Sequence, residues 1–480
     1  MQSESAIARS PAAAGPWIMI AGLIGLWMLA ALNSPAVIVV TALAAAAGFV
    51  FWAAWRVQAD GAHLLCALVI IELLASATFL PVTEEQRFVI RYPLLLLFAL
   101  PPAIRAARNP LLWRGGFRDY LLYLGWAGVS ITYSLLPGYT AARVLAAILL
   151  FVISVKLASD IKGVKDIERL LKWMMIGLAV VWAGLAAMLV AAPHDLAWSD
   201  ELMSGMVRFR GFFGSPNQVG EVTLATVCAG TILWSSASGR GKVLLGIEMA
   251  TAIVLGALAD SRSPFVGVAV GGFAYMFWRY RLRALPVCVV LAVLVFAAAT
   301  QIAPDYFTRG EVSTLTGRTD VWRFAVEKIK ERPLTGWGFE VEGQILQSKY
   351  FPVWWGPWEE GPHSSLHSGY LSRAVGLGVP AFAFWVFFFL RPWFWLFRRG
   401  DDPWQLKRVF LLVVLPVLIL NIVETTAGDC RYAVGLLATL CWAFAERQRL
   451  GAIDAGRAQP RLANILAAPV EKLIAQQEGI

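Results

Sequence analysis

Arginine, carboxylate and histidine cluster in places where an apolar chain has little reason to hold them. Arg208-Phe209-Arg210-Gly211-Phe212-Phe213-Gly214-Ser215-Pro216-Asn217 sets two arginines and a glycine turn before a long apolar run. Ser215 or Asn217 can cap the helix that begins there, and a helix N-terminus flanked by guanidinium groups suits a phosphate. The same residues also suit a helix start whose arginines meet lipid headgroups. Asp260-Ser261-Arg262-Ser263-Pro264 is a tight turn between two apolar runs. It reads either as an Asp–Arg pair closing the turn or as an arginine held at membrane depth for a charged ligand. Arginine matches phosphate through two parallel N–H donors, which lysine cannot do.

The third cluster runs from Ala303 to about Pro380. Arg318 in Gly317-Arg318-Thr319-Asp320-Val321-Trp322 opens a segment whose Val321, Trp322, Ala325, Val326 and Ile329 have helical spacing. Arg318 either pairs with a neighbour such as Asp320 or faces a ligand. Pro333-Leu334-Thr335-Gly336-Trp337-Gly338 reads as a turn. His363 and His367 stand four apart. On one helix they would share a face, as zinc ligands can, but no third ligand follows at a familiar spacing, and no metal is expected. The reading preferred is a catalytic histidine, His367 first and His363 second, at the outer end of an apolar run. The helix N-terminus favours neutral imidazole, able to take a proton from a hydroxyl. Gly376, Gly378 and Pro380 are expected to bend that helix or admit a neighbour. Glu72, Glu221, Glu248 and Glu424 lie in or beside apolar runs, placed to partner arginines, to orient a histidine or to line a proton path.

These residues need a membrane scaffold. The 480-residue chain is 58% hydrophobic and 15% charged, and repeated runs near the roughly 20 residues that a bilayer core requires mark an all-α polytopic integral membrane protein. The runs number about 12–14, with a large periplasmic loop carrying short amphipathic helices. They divide as residues 1–192, N-terminal transmembrane helices; 193–302, central helices with external arginine turns; 303–366, the loop; 367–446, C-terminal helices; and 447–480, a cytoplasmic tail. The first run reads as a retained span. Four of the five cysteines fall inside apolar runs and no CxxC occurs, which argues against a disulfide framework or a zinc knuckle. The net charge of +9 sits in short connections and serves as a topology signal rather than a nucleic-acid surface. Alternate connections rich in Arg and Lys belong inside. Arg208, Arg210, Arg262 and Arg318 then face outward, against the positive-inside trend, and an anionic ligand is the simplest compensation.

The ordered motifs, Arg-x-x-Gly-type with Ser-Pro-Asn, Ser261-Arg262, Gly317-Arg318 with Trp322, Pro-Leu-x-Gly-x-Gly, and His367-Ser368-x-Tyr370-Leu371 ahead of Gly376 and Gly378, resemble the O-antigen ligase and polymerase superfamily of bacterial inner membranes. The resemblance covers roughly Arg208 to Pro380; the family often has Asn where Ser368 stands. It implies a glycosyltransferase, multi-pass in the inner membrane with its site facing the periplasm. The enzyme would move a polysaccharide from a polyprenyl diphosphate donor to a sugar hydroxyl of lipid A–core. No cofactor, no metal and no nucleic acid would be needed, and membrane lipids would be its surroundings. Arg210 or Arg208, Arg262 and Arg318 would clamp the diphosphate and His367, or else His363, would be the base, with inversion at the anomeric carbon. A polymerase, a protein O-oligosaccharyltransferase and, in a different class, a secondary transporter are the competing readings.

Overall fold

The computed structural model describes residues 106–192, 197–201, 206–213, 215–281, 318–349, 366–399, 402–424 and 434–454, with single positions at 65, 69, 104 and 286. The apolar runs expected before these residues and at 284–302 lie outside that set, as do His363 and residues 303–317.

The described chain is helical almost throughout. After a short 3-10 turn, α1 (Gly115–Val129), α2 (Pro137–Asp160) and α3 (Val164–Ala191) follow one another. Then come α4 (Pro216–Trp234), α5 (Gly239–Leu258) and α6 (Ser263–Tyr280). The polar segment contributes α7 (Arg318–Glu331) and α8 (Glu342–Lys349). The long helix α9 spans Gly369–Arg398. Next, α10 runs as Leu406–Val409, a π turn at Phe410–Val414 and Leu415–Leu420. Residues 434–454 form α11, which continues beyond the apolar run that ends near Glu446. Among the described residues four helices are long and apolar enough to cross a membrane: α2, α3, α5 and α9. The chain is an all-α membrane protein, and its described helices follow the apolar runs with ends that differ by up to about eight residues. One departure is a hairpin in the connection after α3, where β1 (Trp198–Glu201) pairs antiparallel with β2 (Met206–Phe209), Ser199 opposite Arg208.

An aromatic cluster joins four helices. Tyr120 of α1 meets Phe151 of α2 edge-on at 4.5 Å, and its ring also contacts Phe388 of α9 and Trp442 of α11. Small residues let α4 and α5 approach closely, as membrane helices commonly do. The Thr223 hydroxyl, 3.0 Å from the Ala252 carbonyl, would stand only 2.6 Å from a Cβ on Gly256. α7 buries Val321, Phe324 and Ala325 against Val341, Ile345, Leu366 and Val375. The amphipathic helix is there as expected, but with Phe324 inward and Val326 exposed.

The two ends of α9 meet opposite ends of the bundle. Near its C-terminus Arg391 pairs with Asp119 at 2.6 Å and Glu446 at 3.6 Å, and Glu446 also accepts from the Gly116 N–H. Its N-terminus meets the last turn of α10, where the Gly369 N–H lies 2.9 Å from the Asn421 carbonyl.

Between these ends α9 is broken. Pro380 has no N–H to give the Gly376 carbonyl, and Gly378 leaves the helical region at φ 82, ψ 168. The segment before it in sequence repairs the break: Gly338 N–H binds Gly376 O at 2.9 Å, and Trp337 N–H binds Val375 O at 3.0 Å. In return the Val379 N–H donates to Pro333 O at 2.8 Å. The Pro333–Gly338 turn and the Gly376–Pro380 break are therefore one interlock, which ties the polar segment to α9. A Cβ at Gly378 would stand 2.5 Å from the Leu334 carbonyl at a backbone angle disfavoured for any L side chain. We expect Gly378→Ala to cost about 2–4 kcal/mol from strain and overpacking. Chemical denaturation in mixed micelles measures this, and an unchanged midpoint would contradict the interlock.

Candidate functional site

His367 is held from three sides. The preceding carbonyl, Leu366 O, accepts a bond from Trp322 Nε1 of α7 at 3.0 Å. Ser368 caps α9 by accepting from Leu371 N–H. Gly369 donates to the carbonyls of both Asn421 and Glu424, and packs so tightly on the Asn421 side chain that no Cβ fits. His367 lies just before the helix, not within it, at φ 47. The left-handed region is uncommon for a residue with a side chain, and an observed outlier of this kind is often found at a functional site. The spacing argument that put His363 and His367 on one helical face therefore does not apply.

The imidazole faces Glu424. Nδ1 lies 3.3 Å from Glu424 Oε2, and Arg318 Nη2 lies 2.8 Å from Oε1 of the same carboxylate. Asn217 Nδ2 also points at Oε1, at 3.4 Å. Its Oδ1 accepts from Arg208 Nη2 at 3.1 Å. Arg208 is braced in turn by the carbonyls of Ala259 and Asp260, which close the α5–α6 turn. One polar chain thus runs Arg208–Asn217–Glu424 and forks to Arg318 and His367. Its members come from β2, α4, α7, the start of α9 and the end of α10.

Burial of Glu424 pushes its carboxyl up. The bond and charge of His367, followed by those of Arg318, more than offset this and hold it below the usual carboxylate range. A bond from Nδ1 to the Glu424 carboxylate makes that nitrogen the donor, so in the neutral tautomer Nε2 is the ring's proton acceptor. Beside the carboxylate a narrow cleft opens between Asn217, Glu221, Ser261, Ser263, Pro264, Leu420 and Glu424. Arg262 is the cap residue of α6 and stands in sequence between Ser261 and Ser263, which line the cleft.

Arg208, Arg318 and His367 are accordingly joined, and Arg262 lies in the turn whose Ser261 and Ser263 line the cleft. Arg210 follows β2 and fixes the hairpin through its backbone N–H, 2.9 Å from Ala197 O. The cap choice left open at 215–217 resolves: Ser215 accepts from Asn217 N–H, and the Asn217 side chain turns to the network. Among the described residues no three His, Cys, Asp or Glu side chains converge as metal ligands. Sequence reasoning missed a second polar group. Glu340 lies 3.6 Å from Arg143 and 3.9 Å from Arg373. Arg373, a lone charge within an apolar run six residues after His367, was the signal for it.

A lowered carboxyl contributes stability that is complete above its unfolded value and is lost as pH falls through its folded value. Melting in detergent should therefore fall below about pH 4 in the wild type and fall less in Glu424→Gln. Parallel pH profiles for the two proteins would contradict the pairing of Glu424.

Comparison with known proteins bears on residues 247–386, which match the O-antigen ligase family. This stretch contains Arg262, Arg318 and His367. The chain is also 27% identical over 197 residues to the exopolysaccharide production protein ExoQ of Rhizobium meliloti (strain 1021), an alignment covering 36% of this chain and 42% of that protein. The chain therefore spans about two fifths of the relative it matches. Both similarities, to the O-antigen ligase family over 247–386 and to the exopolysaccharide production protein, are to part of the chain and support a likeness to the O-antigen ligase/polymerase superfamily there.

Proposed function

We propose that the protein is a glycosyltransferase that moves O-antigen polysaccharide from polyprenyl diphosphate to a sugar hydroxyl of lipid A–core, at the periplasmic face of the bacterial inner membrane. The coarser statement, a transferase of the ligase/polymerase type, rests on the family match. The observation that carries the finer reading is Glu424 shared between His367 and Arg318 and linked through Asn217 to Arg208.

The step follows from those groups. The acceptor hydroxyl oxygen attacks the anomeric carbon as the bond from that carbon to the diphosphate oxygen breaks. Nε2 of His367 takes the hydroxyl proton, and Glu424 steadies the resulting imidazolium through Nδ1–H. The diphosphate leaves with the electron pair, and its growing charge meets Arg318, Arg262 and Arg208 or Arg210. Fixed guanidinium groups aimed at developing charge are an efficient form of transition-state stabilisation. Direct displacement inverts the anomeric carbon, and no metal is required when arginines neutralise the leaving group. A second reading draws on the exopolysaccharide production protein to which the chain is similar. In a polymerase, the acceptor would be another lipid-linked glycan.

Reconstitution with undecaprenyl-diphosphate glycan and either acceptor tests both readings. His367→Ala should lower transfer by about 10²–10⁴-fold, the usual worth of a general base. Arg318→Lys should recover little of the activity lost in Arg318→Ala, because lysine cannot hold carboxylate and phosphate together. EDTA should leave the rate unchanged. Full transfer by His367→Ala removes it as base, and loss with EDTA restored by a divalent ion removes the metal-free mechanism.

A further inference from the structure

Exposed aliphatic side chains surround the tip of the turn at 333–338. Leu136 is 40% and Leu334 67% exposed, with Val129, Leu135 and Val379 between them. These residues come from the end of α1, the α1–α2 connection, the turn itself and α9 just past its break. Hydrogen bonds bring the stretches together. The Val379 N–H donates to the Pro333 carbonyl, next to Leu334, at 2.8 Å. The Tyr133 hydroxyl donates to the Thr335 carbonyl at 2.7 Å, and the Leu136 N–H donates to Ser134 Oγ at 3.1 Å. An apolar surface assembled from separate elements and left uncovered marks a contact with something outside the fold.

What covers the patch follows from what it adjoins. α9 is long and apolar enough to cross a membrane. Beyond its break, Val379, Phe387 and Phe394 are exposed at helical spacing on one face. The patch continues that lipid-facing stripe. From Val379 to the end of α9 at Arg398 the rise is roughly 28 Å at about 1.5 Å per residue, close to the ~30 Å of a bilayer core. Val379 and the adjoining tip therefore stand at a membrane boundary. The side chains around the tip have the chemistry of that boundary. Trp337 donates its indole N–H to the Lys328 carbonyl at 3.0 Å, and the Arg332 guanidinium covers its ring at 4.1 Å. Arg318, Arg323 and Lys328 of α7 pair with carboxylates. Among the described residues Lys330 and Arg332, next to the tip, do not. Cations without carboxylates beside an apolar tip complement lipid phosphates. A second copy docked here about a two-fold axis would instead bring the same cations face to face. We infer that the tip at 333–335 is inserted in the bilayer leaflet nearest the N-terminus of α9, with Leu334 among the upper acyl chains and Lys330 and Arg332 at the phosphates. The tip closes α7, whose first residue Arg318 meets Glu424, so its insertion fixes the depth at which α7 lies. Nothing in this placement depends on the reaction catalysed.

Depth measurements in bilayers decide the matter. Leu334→Cys, Leu135→Cys and Lys330→Cys are each labelled with a nitroxide in the full chain and reconstituted in vesicles of phosphatidylethanolamine and phosphatidylglycerol. Wild type treated in the same way gives the background from the native cysteines. Relaxation of the label by oxygen, which partitions into lipid, is compared with relaxation by a water-soluble nickel chelate. Labels at 334 and 135 should respond chiefly to oxygen and lie roughly 5–10 Å below the phosphates, the depth of an interfacial apolar face. The label at 330 should lie shallower. Both apolar sites are exposed, so the substitutions remove little packing, and each reports by itself should the other variant fail to fold. A label at 334 or 135 relaxed chiefly by the nickel chelate puts the tip in water and overturns the inference. A label there reached by neither agent means that protein covers the patch, and overturns it equally. So does a label at 330 that lies deeper than the apolar ones.

Discussion

A carboxylate with a side chain only 8% exposed has to meet cationic or hydrogen-bonding partners or give up its charge, and Glu424 meets them from three directions. Burial and pairing pull its proton affinity in opposite senses, and pairing wins. The partners are remote in sequence. Arg318 arrives from a helix in the polar segment, His367 from the residues just before α9, and Asn217 from the start of α4. Each can reach the carboxylate only when its element is docked, so satisfying one buried charge defines how these parts of the chain meet. A histidine in the left-handed region survives for the same reason. Trp322, Ser368, Asn421 and Glu424 over-determine its place, which a strain of about 1–3 kcal/mol requires.

The rest of the bundle keeps that junction rigid. α9 carries the histidine at one end and Arg391 at the other, where Asp119 and Glu446 hold it. Its break at Gly378 could have been a hinge. Instead the loop carrying Gly336 and Gly338 fills the vacated hydrogen-bond positions, which fastens the polar segment to the helix at its break. Backbone polar groups freed at a proline in an apolar setting need such partners, and here the chain supplies them itself. A side effect is positional: the loop that repairs the helix continues directly into Phe339 and Glu340, which brings Glu340 to Arg143 and Arg373.

Much of this was legible in the residue order, for physical reasons that differ by element. Apolar runs of bilayer length announce helices because lipid leaves the backbone no alternative, and α4, α6 and α9 begin almost where their Pro or Gly signals stand. Glu424 stood out as a charge beside an apolar run, and one of the roles considered for it, orienting a histidine, is the geometry observed. Which carboxylate met which arginine was not legible, because pairs separated by 106 and 57 residues are fixed by tertiary docking rather than by local spacing. The hairpin at 198–209 escaped because two four-residue strands leave too short an alternation to see. Val326 was assigned inward and Phe324 overlooked because charged neighbours blur the stripe; the packed face is set by where Leu366 and Val375 stand.

The choice of arginine over lysine at 318 follows from what one side chain is asked to do. An ammonium is a compact charge whose three donors converge on one strong partner. A guanidinium has five N–H donors along a plane, so one edge can hold Glu424 while the others remain directed elsewhere. On the transferase reading this division has a chemical use. The carboxylate that orients His367 also fixes Arg318, so the group that receives the hydroxyl proton and a group that meets the departing diphosphate share a single anchor. Proton removal and charge departure occur in the same displacement, and their distance apart is set by one buried carboxylate rather than by two independently mobile side chains. A rearrangement of Glu424 would disturb both halves of the reaction at once, which is a sufficient reason for its three supports and its burial.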